Sequence, residues 1–280
     1  MITQLVVSQA VAIQERRAKK LGASIYSGRS YALLERGVHA FKSSNWLVVL
    51  SGFVEPVLYL LAFGFGIGQL IGNLEDGAGN PVSYAAFIAP ALLATSAMNG
   101  AIYDSTWNVF FKMHFGKVYQ VMLGTSIGPL DVALGEIMWA LLRGVAYSLV
   151  FMAIVFPLGL VTNAWGLLAI PAATLIAFGF ASLGMAITSY LKSFQQMNWV
   201  TFFLLPMFLF SGTFFPVSVY PQWIQAIVQA MPLWQGVELV RGLMLGNISL
   251  GLLNHVLYFV VMIALGLWFT TVRLKALFMR

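Results

Sequence analysis

The stretch Ala164–Tyr190, AWGLLAIPAATLIAFGFASLGMAITSY, carries no charged side chain in 27 positions. As a helix rising 1.5 Å per residue it is about 40 Å long, enough to cross a hydrocarbon layer of roughly 30 Å. Outward from it, five further apolar runs stand at about 46–71, 85–111, 132–156, 199–215 and 252–272. This predicts an all-α, polytopic membrane protein with six transmembrane helices, since the backbone can satisfy its own hydrogen bonds in lipid only as a helix or a closed barrel. The run at 199–215 is short and Pro206 interrupts it, which predicts a kink or a break.

Composition points the same way. The 280 residues are 60% hydrophobic and 9% charged, with 15 bases and nine acids. A soluble chain is about 25% charged, so a soluble enzyme, a secreted disulfide scaffold and a disordered tail are excluded together. The absence of cysteine removes disulfides, thiolate metal sites and a cysteine nucleophile. The net charge of +6 implies an anionic lipid surface and no nucleic acid, because bases in membrane proteins gather in cytoplasmic loops. The first 13 residues include Gln4, Ser8 and Gln9 and precede their charges, so no cleaved signal is expected there.

Sorted by loop, 13 of the 15 bases fall on one side: seven in the N-terminal segment, Lys112 and Lys117, Lys192, then Arg273, Lys275 and Arg280. Arg241 is alone on the other side and Arg143 lies within a span. The expectation is a multi-pass protein of the bacterial inner membrane with both termini cytoplasmic. Residues 1–45 would form a cytoplasmic N-terminal segment and 46–280 the six-span domain.

Two segments are amphipathic without spanning. In 29–43, Tyr31, Leu34, Val38 and Phe41 share a helical face, while Arg29 and Arg36 take polar positions. The pattern suits a helix lying in the membrane interface, or one packed on protein. In 216–246, an apolar face with Trp223 precedes Pro232, and a second helix follows. Helices of about 10 and 13 residues are too short to cross, so a re-entrant hairpin on the outer side is expected.

The sequence lacks the usual means of hydrolysing a nucleotide. His39, His114 and His255 have no partner at metal-ligand spacing. The only Gly-Lys pair, Gly116-Lys117, has Phe111 where a phosphate loop needs its first glycine. If ATP drives this protein, another polypeptide hydrolyses it. Charges within the spans are Glu55, Asp104, Glu136 and Arg143, each expensive in lipid. They form either a cluster on the cytoplasmic side of a polar pathway or structural ion pairs that fix helix packing. At the outer end, Phe215, Trp223, Glu238 and Arg241 are candidates for a gate; the last two, three apart, can pair across a turn or simply solubilise the hairpin. Gly64, Gly68 and Gly72 make a small-residue face for close helix approach. The loop 112–126 brings Lys112, His114 and Lys117 to a short helix with Tyr119, Gln120 and Leu123. It is either a plain connector or a means of carrying force from a soluble partner.

Two of these stretches resemble a known family. MLGTSIGPLDVALGEIMWALLRG (122–144) is similar to the segment entering the third span of type-2 ABC exporter permeases. FLFSGTFFPVSVYPQWIQAIVQAMPLWQGVELVRGLMLG (208–246) resembles their external signature. The nearest groups are the permeases for nodulation-factor lipo-oligosaccharides and those of the daunorubicin-resistance type. The resemblance implies a homodimer that binds two copies of a separate ABC ATPase, with no cofactor in this chain and ATP and Mg in the partner. It implies that 29–43 is the interfacial connecting helix, 112–126 the coupling helix, and 216–246 a cap over the exit. The substrate implied is a large amphipathic molecule: a lipid, a glycolipid, a lipo-oligosaccharide or, alternatively, a drug. An ion-coupled secondary transporter with Glu55, Asp104 and Glu136 as a proton relay is the other reading of the same charges.

Overall fold

A computed structural model describes residues 25–42, 54–75, 79–125 and 127–278. In chain order the helices are α1 (Ser30–Lys42), α2 (Val54–Ile71), α3 (Tyr84–His114), α4 (Val118–Leu123), α5 (Pro129–Val155), α6 (Ala164–Tyr190), α7 (Met197–Phe210), α8 (Gln222–Ala230), α9 (Pro232–Leu245) and α10 (Gly251–Phe278). Among the described residues the one departure from an all-α fold is a small antiparallel pair, β1 (Asn73–Glu75) with β2 (Pro81–Ser83), Leu74 opposite Val82. Gly72, at φ +76°, ends α2 and turns the chain into this hairpin.

Among the described residues five helices, α2, α3, α5, α6 and α10, are long and apolar enough to cross a membrane. The predicted fifth span differs. Its helix α7 stops at Phe210, before the expected 215, and its 14 residues reach only about 21 Å. Beyond it Gly212 takes φ +70° and the chain folds back. Residues 43–53, which include the predicted start of the first span, lie outside the described residues.

The bundle is built around α3, almost wholly buried, with α5, α6 and α9 packed along it and α10 lying against α6. Small residues permit this. A Cβ on Gly144 of α5 would come within 2.7 Å of the Ala177 Cβ and 3.0 Å of the Ala97 carbonyl oxygen, so α3, α5 and α6 meet there closer than any other side chain allows. Gly64 and Gly68 of the predicted small-residue face pack on Ala85 and Tyr84, so within this chain that face serves the α2–α3 contact. By contrast α2, α7 and α10 show large apolar side chains outward, among them Leu70, Phe203 and Trp268.

The molecule has two ends. Helices α1 and α4 sit at the end carrying Lys112, Lys117 and Lys192, the basic end. The hairpin β1–β2 and helices α8 and α9 sit at the other, the far end. The predicted break at Pro232 is sharp: Met231 is extended and Pro232 opens α9 at the first-turn position that proline tolerates.

Candidate functional site

Between α2, α3, α5 and α7 lies a cavity of about 600 Å³. Glu55, Tyr59, Asn99, Tyr103 and Arg143 line it, facing Leu204, Leu205 and Phe208 of α7. Of the predicted intramembrane charges, this cavity gathers Glu55 and Arg143. Arg143 pairs with Asp104 (Nε to Oδ2, 2.9 Å) and lies over the Tyr103 ring at 5.7 Å. Asp104 also accepts from the Asn108 amide one turn on. It opens a π-helical turn, Asp104–Asn108, inside α3, a local widening that places this carboxylate toward α5. A ring cluster of Tyr59, Phe63, Phe208 and Phe214, with centroids 5.1–6.2 Å apart, stands on the far-end side of the cavity.

Glu136 is not part of that constellation. It shares a helix with Arg143, but its carboxylate, 5% exposed, accepts from Lys112 Nζ at 2.6 Å. Three of the four candidate charges thus fall in two ion pairs, Asp104 with Arg143 and Glu136 with Lys112, and Glu55 is outside both.

The loop 112–126 is not one helix. Lys112 and His114 belong to the last turn of α3, and His114 stacks on Phe110 at 4.3 Å. Lys117 then adopts a left-handed φ of 47° and breaks the chain before the six-residue α4; Ser126 lies outside the described residues. Within α4, Tyr119 is fully buried, Leu123 is half-buried and Gln120 is exposed. Burial pushes the Tyr119 hydroxyl well above its ordinary pKa, and the nearby Glu136 carboxylate adds to this, so it stays neutral. Tyr119 therefore fastens α4 to the spans, beside the Lys112–Glu136 pair that joins α3 to α5, while Lys117 and Gln120 remain on the outside.

Helix α1 is held by a residue that periodicity did not single out for this role. Asp131, fully buried at the start of α5, accepts at Oδ2 from the Ser27 amide (2.7 Å), the Ser27 hydroxyl (2.8 Å) and the Gly128 amide (3.0 Å). Its Oδ1 accepts from the Arg29 amide at 2.8 Å. The sequence signal was a carboxylate at a helix N-terminus; its distant partners were not readable from it. Leu33, 6% exposed, packs where Gly135 of α5 lacks a side chain. The predicted apolar stripe points elsewhere: Tyr31 is 69% exposed, Val38 is exposed and Leu34 half-buried, with Arg29 and Arg36 exposed beside them. The side chain of Phe41 lies outside the described residues.

At the far end, Arg241 is buried and so does not solubilise the hairpin. It pairs with Glu238, donates from Nη2 to the Gly212 carbonyl (2.6 Å), and stacks on the Phe87 ring at 4.1 Å. One guanidinium thus ties α9 to the α7 exit and the start of α3. Phe215 and Trp223 are exposed, and Phe215 meets the Tyr220 ring at 5.3 Å.

Residues 29–245 match the family model described as ABC-2 type transporter. The chain belongs to the ABC-2 type transporter family. It is a membrane permease of that family, a non-catalytic transmembrane subunit and a multi-pass membrane protein. Among its relatives, Nodulation protein J of Sinorhizobium fredii (strain NGR234) is 31% identical over 226 residues, 80% of this chain and 84% of the relative. Nodulation protein J of Rhizobium leguminosarum bv. viciae is 30% identical over 250 residues, 89% of this chain and 95% of the relative. The inner membrane transport permease YadH of Escherichia coli is 24% identical over 203 residues, 72% of this permease and 73% of the relative.

Proposed function

We infer that this permease is the membrane half of an ATP-driven exporter that moves a large amphipathic substrate, a lipid, glycolipid or lipo-oligosaccharide, out of the cytoplasm or its inner leaflet. The observation that carries this reading is the attachment of α1 and α4 at the basic end. Both are short, both lie outside the spans, and both are anchored by buried groups (Asp131, and Tyr119 beside the Lys112–Glu136 pair) to the helices that wall the cavity. A push on either helix is passed to α3 and α5 without slack. Two copies of a separate ATPase, holding ATP and Mg, would supply the push at the exposed Lys117 and Gln120. Transport requires that substrate affinity differ between the states so produced.

In this reading the basic end is cytoplasmic and α7 is the fifth of six crossings. Phe194, just before α7, meets Phe110 and Phe111 at the basic end, and Gly212, just after it, meets Arg241 at the far end. The exposed stripe of α1 lies in the membrane interface, α8 and α9 are the re-entrant cap, and a second permease copy covers part of the outward apolar surface. The relatives named Nodulation protein J favour a lipo-oligosaccharide over a drug. The pairing of Asp104 and Glu136 with Arg143 and Lys112 favours ATP drive over a carboxylate proton relay.

The test is capture and reconstitution. Crosslinking followed by purification should bring down a nucleotide-binding subunit, and vesicles holding both should export only with ATP. Capture of no ATPase, or transport by the permease alone under a proton gradient, would overturn the reading.

A further inference from the structure

The cavity has two unlike walls. Asn99 and Tyr103 of α3 and Arg143 of α5 make one polar; Leu204, Leu205 and Phe208 of α7 make the other apolar. Among the described residues its charge does not balance. The guanidinium of Arg143 is neutralised by Asp104, itself 1% exposed. Glu55, exposed on α2 at the cavity wall, belongs to none of the ion pairs among the described residues. Among the described residues the space therefore holds one carboxylate that no cation pairs, hydrogen-bonded to the Tyr59 hydroxyl and set among amide, aromatic and aliphatic groups.

We propose that Glu55 is a specificity-determining residue that admits amphiphiles with a neutral, hydroxylated head and excludes those with an anionic head. This rests on the reading that the cavity receives the exported amphiphile. A carboxylate and an amide accept and donate to sugar hydroxyls, and flat rings such as Tyr103 cover the apolar face of a pyranose. The α7 wall takes the alkyl chain. A phosphate or sulfate head brought to the same wall meets the like charge of Glu55, while Arg143 is already engaged by Asp104.

The experiment uses the full chain in zwitterionic nanodiscs and a photoactivatable dodecyl maltoside, competed by unlabelled dodecyl maltoside or dodecyl phosphate. In the wild type, dodecyl phosphate should compete about tenfold less well than dodecyl maltoside, the size expected for one like charge at partial screening. Glu55→Gln should close that gap, and Glu55→Asp, which keeps the charge, should retain it. Equal competition in the wild type, or a gap that persists in Glu55→Gln, would overturn the selectivity while leaving the cavity as the binding place. Leu205→Trp, which fills the apolar wall, should abolish labelling. Labelling undiminished by that change would instead overturn the cavity reading on which the selectivity rests.

Discussion

Asp131 and Ser27 are 104 residues apart in sequence, yet one carboxylate oxygen of Asp131 accepts both the amide and the hydroxyl of Ser27. Together with the Arg29 and Gly128 amides, this buries four donors on one side chain. Hydrogen bonds to a charged group contribute about 1.5–3 kcal/mol each, so the join is strong relative to the packing around it. Asp131→Ala should lower the melting temperature of the purified permease. It should also raise amide hydrogen exchange across 25–42 while leaving α6 and α10 protected. Unchanged exchange in α1 would show that Leu33 and Gly135 hold the helix alone.

The Lys112–Glu136 pair can be separated from its charges. Glu136 is buried while Lys112 is 24% exposed, so breaking the pair on the lysine side strands a buried carboxylate and costs up to about 3–5 kcal/mol, whereas an apolar replacement of both costs far less. Lys112→Met should therefore destabilise more than Lys112→Met with Glu136→Met. The interaction energy from the double-mutant cycle, read from denaturation midpoints in detergent, measures the coupling.

A similar asymmetry should hold for Asp104 and Arg143, with a readout in transport. Arg143→Met alone strands Asp104 and should reduce the yield of folded protein. Adding Asp104→Leu should restore yield, and export by the restored protein would mark the pair as a packing element. Loss of export at normal yield would place the pair in the substrate path instead.

Arg241→Lys should be poorly tolerated although it keeps the charge. A lysine ammonium cannot at once pair with Glu238, donate to Gly212 and lie flat on Phe87. The expected outcome is a loss of about 1–3 kcal/mol, with faster proteolysis confined to 211–221.

Much of this was legible from the residues. Long apolar runs declared α3, α5, α6 and α10 because lipid leaves the backbone no choice, and Pro232 marked the boundary between α8 and α9 because proline lacks the donor a continuing helix needs. What failed to show were facts about partners. Glu136 and Arg143 sit seven apart on one face, which suggests a shared role, but each finds its partner on α3, Lys112 for one and Asp104 for the other. Arg241 looked like a surface charge because burial of a cation depends on carbonyls and a ring supplied by distant segments. Lys117 gave no sign of its left-handed turn, which divides the expected coupling helix in two.

The widened turn at Asp104–Asn108 has a consequence for register. Each residue added to a helix advances its phase by about 100°, and a turn closed by longer hydrogen bonds shifts everything beyond it. Lys112 lies beyond that turn and Asp104 at its start. The two salt bridges on α5 are thus set at compatible angles by one stretch of five residues. If that stretch tightened to an ordinary helix, the last turn of α3 would rotate against α5 and carry Lys112 away from Glu136. The π-helical turn is where α3 stores the angular setting between the cavity and the basic end.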